Sequence, residues 1–379
     1  MVQDLRKSAL AVMLILVFAV IIYPVYGGVV EDSWTTMAPL PTPYSTSLGA
    51  VAVNGQIYFF AGDVCERYDS GTNTWTTVTP PPRHNSWAAV VACQNKIYII
   101  GGDGAVPTQV YDPSINTWTN RTSMPKSIYS HEAAVVGNKI YVISGGIPSP
   151  IGVVNPSETT YVYDPATDSW STMASIPTPV LGYASAVVDD KIYIIGGGTR
   201  TVFVENATGL VQIFDPKMNQ WTLGKTLPAG VFGAGACSTS GLFAPERIYV
   251  IGGSFHYSGG GTSADLNPKR STLNQVYDLE TGKWSLASSI PQNGSGLSVV
   301  NVNDVLYAVG HSTEQYIPIG YKKTSLPTAS ISASPITASP SSDALLSNQF
   351  PTIPCVVATI AIIMVFIGLV VYKKVKDRN

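Results

Sequence analysis

The sequence predicts an all-β chain closed into a six-bladed β-propeller, on the strength of a recurring tryptophan and a recurring β-branched run that ends in glycine. Trp34, Trp75, Trp118, Trp170, Trp221 and Trp284 stand at intervals that grow from about forty to about sixty residues, a period typical of propellers and solenoids. Seven residues before each of the last five comes an aromatic, Tyr68, Tyr111, Tyr163, Phe214 or Tyr277, and an aspartate follows every one of them. Ile97–Gly102 and Ile192–Gly197 read IYIIGG, and Ile248–Gly253 reads IYVIGG. Variants lie at Ile57–Gly62, Ile140–Gly146 and Leu306–Gly310.

Each unit offers four short strands separated by turn signals. In the second unit they are predicted at Ala88–Cys93, Lys96–Ile100, Thr108–Tyr111 and Thr117–Asn120. The first two are apolar on both faces and need cover on both sides, which blades stacked around an axis supply. Paired glycines allow close backbone approach near that axis. The Tyr and Trp rings bury large surfaces between blades while their polar tips keep partners, so Trp118 and Trp170 are expected to be buried. Asp112-Pro113-Ser114 and Asp164-Pro165-Ala166 start turns, Asp accepting from the backbone and Pro fixing the next φ.

With this diglycine, Tyr and Trp pattern the chain resembles the kelch repeat family from about Glu31 to Tyr321, which implies a six-bladed kelch-type propeller spanning residues 28–323. Two units depart from the pattern. The first has Ala61-Gly62 for its doublet. The sixth has Gly310-His311, no Tyr-to-Trp pair and no fourth strand, while Trp34 stands unclaimed near the start. Closure follows: the segment around Trp34 supplies the missing outer strand and leaves no open edge.

The ends predict a membrane anchor. Arg6 and Lys7 precede an apolar run, Ala9–Tyr23, then Pro24, Gly27 and Gly28, so residues 1–27 read as a signal peptide, or as a signal anchor if uncleaved. Residues 324–352, rich in Ser, Thr, Pro and Ala, read as a stalk. Residues 353–372 carry no charge and are long enough to span roughly 30 Å of hydrocarbon as a helix. The basic tail 373–379, with Lys373, Lys374, Lys376 and Arg378, belongs in the cytoplasm, which places the propeller outside. Charged residues make up 12% of the 379 and the net charge is -2, which excludes the basic footprint of a nucleic-acid partner. In an export context Cys65 and Cys93, on adjacent units, are the one pair open to a disulfide.

Function is expected on the face where the loops after the second strands open. Units three, four and five carry long loops there, Ile147–Thr160, Gly198–Gly209 and Ser254–Asn274, against the short Asp103–Pro107 of unit two. Such a one-sided lip points to a binding side. The ligand-binding candidates beside it are Tyr44, His84, Trp87, Tyr129, His131, Arg200, Phe203, Phe255, His256, Tyr257, Arg270 and His311. Trp87, outside the periodic series, is foremost; His131, beside small residues, reads as structural. Rings with a few directional groups suit a protein or glycan ligand. The four histidines belong to four different units, so no metal site is expected, nor any cofactor. No nucleophile motif, phosphate loop or carboxylate pair appears, and the chain reads as a binding or adhesion protein more than an enzyme. The alternative is a carbohydrate-active enzyme resembling the six-bladed kelch sialic acid mutarotases, with Arg200, Glu205 and Arg270 in play. Asn120, Asn206 and Asn293 head glycosylation triplets.

Overall fold

The computed structural model describes residues 30–44, 48–83, 85–102, 107–147, 155–199, 205–257, 270–292, 294 and 296–322. They form six four-stranded antiparallel sheets, one per blade, with two small two-stranded ribbons. Blade two comprises Ala89–Cys93, Lys96–Ile100, Thr108–Asp112 and Thr117–Arg121, within one residue of the boundaries read from sequence. The inner two strands of each blade are buried and the outermost is largely exposed, as in Lys96–Ile100 against Thr117–Arg121. A separate apolar cluster fills each blade-to-blade interface; between blades three and four it contains Tyr141, Ile143, Val162, Ile192, Ile194 and Phe214. Stacking, and not any single sheet, makes the core.

The ring closes as the sequence predicts. Ser33–Thr36 pairs antiparallel with Thr313–Ile317, Trp34 opposite Tyr316, and becomes the outer strand of blade six. The sixth unit therefore does hold a Tyr and Trp pair, assembled from the two ends of the propeller with ring centroids 4.9 Å apart. The sequence pattern missed it because the two residues never occur in one stretch of chain.

A repeated side-chain lattice ties blade to blade. Two residues before each Trp lies a left-handed position: Asp32, Asn73, Asn116, Asp168, Asn219 or Gly282. Asn, Asp and Gly tolerate that conformation best. Where the residue has a side chain, its oxygen accepts a backbone N–H from the neighbouring blade, as Asn116 does from Thr79 and Asp32 from Ser288. In four of these five the same oxygen accepts a tyrosine hydroxyl, as from Tyr111 at Asn116 and Tyr316 at Asp32, while the unit of Asn219 has Phe214 instead. Each Trp indole donates across the same seam, Trp118 to Thr79 and Trp34 to Ser288. These indoles pack at the rim of the interface, so Trp118 and Trp170 lie between blades but are only partly buried, a correction to the burial expected. Their N–H groups reach carbonyls at the edge of the sandwich, and the smaller Tyr rings take the interior.

Deeper in, Gln109, Gln212 and Gln275 each clasp the linker preceding their own blade, accepting from and donating to the backbone of Arg83, Thr178 and Ala229. The turn aspartates behave as expected: Asp112 accepts from Ser114 N and Asp164 from Ala166 N. Cys65 and Cys93 are both free thiols. The disulfide left open by the sequence does not form, because Cys65 packs in the interface of blades one and two and Cys93 in that of blades two and three.

On the face carrying the tight inner hairpins, blade five departs from its neighbours with a longer loop between Ser238 and Arg247. Asp304, in the tight turn of blade six, is buried beneath it and accepts from Ser240 N, Ser240 Oγ, Phe243 N, Ala244 N and Asn301 Nδ2 at 2.6–3.2 Å. Burial pushes its carboxyl up, but the Ser240, Phe243 and Ala244 N–H groups outweigh this and hold it below the usual range. The chain leaves the propeller here: Lys322 N donates to Phe243 O, and Arg247 Nη1 to Ile319 O. The expected signal segment, stalk, membrane helix and basic tail lie outside the described residues; among the described residues no helix is long and apolar enough to cross a membrane.

Candidate functional site

The linkers between blades and the loops after the second strands meet on the opposite face, through the bridges Tyr129 to Gly146, Leu181 to Gly198 and Phe232 to Ser254. Two ribbons stiffen the long loops where they are described. Gly146–Ile147 pairs with Asn155–Pro156 within blade three, and Glu205–Asn206 of blade four pairs across the seam with His256–Tyr257 of blade five. The remainder of the predicted lip, residues 148–154, 200–204 and 258–269, is outside the described residues.

At the centre of this face a chain of backbone hydrogen bonds runs from linker to linker around the channel. Ser130 N donates to Trp87 O at 3.1 Å, Gly182 N to Ser130 O at 3.0 Å, Gly233 N to Gly182 O at 2.7 Å, and Gly296 N to Gly233 O at 3.2 Å. Every member has positive φ, and three of the five are glycine. At Gly182 a side chain would collide with the Phe232 ring, an added Cβ meeting it at 2.3 Å. Trp87 holds the same left-handed backbone at φ 55 with a bulky side chain, 55% exposed. A bulky residue in this region costs on the order of 1–3 kcal/mol, and such strain gathers at functional sites. Its ring lies 5.8 Å from that of Tyr129, giving an aromatic pair on the rim.

The other candidates scatter. Tyr44 is half-buried, stacked on exposed His311 at 5.7 Å and edge-on to Phe59, near the seam of blades one and six. Phe255 packs into the interface of blades four and five. Arg270 is exposed, bridging Ser254 through the backbone. His131 is buried, and burial brings its pKa down to about 4, only partly countered by the Ile100 carbonyl. Its ring fits against Gly101, where an added Cβ would come within 2.6 Å, so it packs and does not face ligand. Asn120 is exposed on an outer strand. His84, Arg200, Phe203 and Asn293 fall outside the described residues, as do the side chains of Glu205, Asn206, His256 and Tyr257. No group of three or more His, Cys, Asp or Glu among the described residues is placed to hold a metal.

Sequence reading missed one residue of this face, Glu132. A cavity of about 60 Å³ opens at the head of the inner strands and is lined from all six blades, by Gly49, Val90, Glu132, Ala184, Gly235 and Ser298 among others. Glu132 keeps much accessible surface, but that surface faces a narrow shaft walled by protein, which solvates a charge less well than bulk water. Burial pushes its carboxyl up to about 7. Next to it the Tyr183 hydroxyl donates to the Ile143 and Glu132 carbonyls and accepts from Glu132 N. A carboxyl raised in the folded state binds its proton more tightly folded than unfolded. Its ionisation therefore erodes stability as pH rises from about 4.5 to about 7. The melting-temperature difference between Glu132→Gln and wild type should widen across that window in favour of Gln; a difference independent of pH would contradict the placement of this carboxyl.

With the geometry in view, comparison with known proteins is informative. The KLHDC2/KLHL20/DRC7 Kelch-repeats domain matches residues 47–253, more than half of the chain. The chain belongs to the kelch-repeat family. This kelch propeller is 46% identical over 177 residues to human Kelch-like protein 35, covering 44% of this chain and 29% of that protein. It is 25% identical over 159 residues to Kelch-like protein 25 of Xenopus tropicalis, covering 41% and 24%. The chain thus spans less than a third of the length of these curated relatives. The solved structure of YjhT superposes with a TM-score of 0.60 at 18% identity, covering 74% of this chain and 95% of that one, a likeness of fold.

Proposed function

We propose that this chain is a cell-surface protein that presents its kelch propeller outward and binds a protein ligand on the rim that carries Trp87 and Tyr129. The observation that carries the reading is Trp87, a large exposed ring held in strained backbone where the equivalent linkers have glycine or serine. Buried aromatic anchors dominate protein interfaces, and an exposed one in a shallow rim suits a protein surface. A cavity of about 60 Å³ is small beside the ~300 Å³ or more typical of small-molecule sites, which disfavours a sugar seated within the shaft. The apolar runs at the two ends of the sequence support an anchored, outward-facing propeller. The likeness of fold to YjhT is compatible with the mutarotase alternative, whose candidates Arg200 and the Glu205 side chain lie outside the described residues.

The test is the full chain in detergent, screened in parallel against a displayed random-peptide library and a glycan array, as wild type and as Trp87→Gly. Glycine adopts this φ without strain, so the variant should gain up to about 1 kcal/mol of stability while losing peptide affinity at least about tenfold. Peptide binding indifferent to the substitution, or binding confined to glycans, would overturn the reading.

A further inference from the structure

The residues at the head of the six inner strands are Gly49, Ala89, Glu132, Ala184, Gly235 and Ser298, and all but Ala89, whose neighbour Val90 takes its place, line the cavity. Their equivalence is fixed by register. Gly49 lies opposite Phe60, Ala89 opposite Ile100, Ala184 opposite Ile195, Gly235 opposite Ile251 and Ser298 opposite Val309, while Ala133 opposite Val142 puts Glu132 at the level of Ile143. Five blades thus present a small residue at this level and one presents a carboxylate. Small neighbours keep the shaft open around it, and the lining residues include no other titratable group. Beside it among the described residues, the Tyr183 hydroxyl is held by backbone and His131 is buried and packed against Gly101.

The carboxylate lies just inside the aromatic rim. Ser130, whose N–H donates to the Trp87 carbonyl, is two residues from Glu132, and Tyr129, paired with Trp87, is three. The two rings pack on one another at 5.8 Å, so a group reaching the carboxylate passes beside the pair and then meets a carboxylate with no cation beside it among the described residues. Aromatic faces attract cations, and a carboxylate in a confined, poorly solvated shaft gains more from a counter-charge than one in bulk water. The cavity of about 60 Å³ has room for about four water-sized groups, enough for an ammonium or guanidinium head and too little for a sugar ring or a bulky side chain.

We propose that the channel mouth is a pocket for one basic side chain, lysine or arginine, of the docked protein, with Glu132 as its counter-charge and the packed Trp87 and Tyr129 pair as an aromatic surface at its rim. This inference rests on the reading of the rim as a protein-binding surface and adds the chemistry of the residue recognised there. It also accounts for an uncompensated carboxylate where five blades manage with glycine, alanine or serine.

The experiment measures binding of the full chain to four pools of seven-residue peptides, alike in their randomised positions, whose central residue is lysine, arginine, norleucine or glutamate. The wild type should bind the lysine or arginine pool at least about tenfold more tightly than the norleucine pool, and the glutamate pool least. Glu132→Ala installs what other blades carry at this level, so it should fold, with its melting temperature as the check; Glu132→Gln preserves shape. Both variants should lose the preference for basic peptides while retaining binding common to all pools. No basic preference in the wild type, or a preference that survives both substitutions, overturns the proposal while leaving the rim as a protein site. Failure of every pool to bind the wild type counts against the rim reading itself, and the proposal falls with it.

Discussion

Deleting residues 28–36 should lower the melting temperature of the full chain by more than about 10 °C, the largest effect expected of any short truncation. The segment contributes the whole outer strand of blade six, Ser33–Thr36. It brings the Trp34 indole to Ser288 O and the Trp34 ring onto Tyr316, and Asp32 accepts from Ser288 N and the Tyr316 hydroxyl. Truncating a Trp of this kind costs about 3–5 kcal/mol when it is fully buried, and the lost pairing and newly unpartnered Tyr316 hydroxyl add to a somewhat smaller value here. In a domain of this size each kcal/mol is worth about 2–4 °C. Trp34→Ala alone should recover a third to a half of the effect. A truncated chain that melts at the wild-type temperature would show that closure lies elsewhere.

The second large effect belongs to Asp304. Asp304→Ala should destabilise by about 2–4 kcal/mol, because it removes the shared acceptor of the Ser240, Phe243 and Ala244 N–H groups and strands that of Ala244 in the interior. Asp304→Asn should be nearly as damaging, since one oxygen cannot serve both sides of the loop and the amide turns a donor toward donors. The sign of the pH dependence is opposite to that of Glu132. The folded pKa of Asp304 is depressed below its usual 3.8, so its stabilisation is present above that value and is lost as pH falls through the folded value. Thermal melts of wild type and Asp304→Ala should therefore converge in acid; a constant gap would remove the carboxylate from the account.

The fold was legible because its signals repeat. The Tyr and Trp spacing, the glycine doublets and the turn aspartates each encode one local event that recurs, and blade-two boundaries follow from them to within a residue. Closure was legible for the same reason, since Trp34 matched a pattern whose remainder lay at the other end. The channel was not. Gly49, Ala89, Ala184, Gly235 and Ser298 carry no signal singly, and Glu132 becomes conspicuous only once strand register aligns it with them. Aligning the units on the residue opposite each doublet would have exposed it. The depth of Trp118 was misjudged because ring size predicts burial only when the indole N–H has no carbonyl at the edge to seek, and here it has Thr79 O. Among the candidate residues that are described, the division between rim, core and edge was not readable from the sequence. His131 and Trp87 lie one register position apart in neighbouring linkers, and the ring of one turns inward against Gly101 while that of the other turns out to solvent.

The measurement that bears most directly on the central claim is hydrogen–deuterium exchange of the full chain with and without a peptide selected from the displayed library. If the rim binds protein, protection appears in the linkers 85–89, 128–132, 180–184 and 231–235 and is absent from the tight turns of the opposite face around Asn54, Asn95 and Asn303. Protection on those turns, or along the exposed outer strands, with the linkers unchanged, would contradict it.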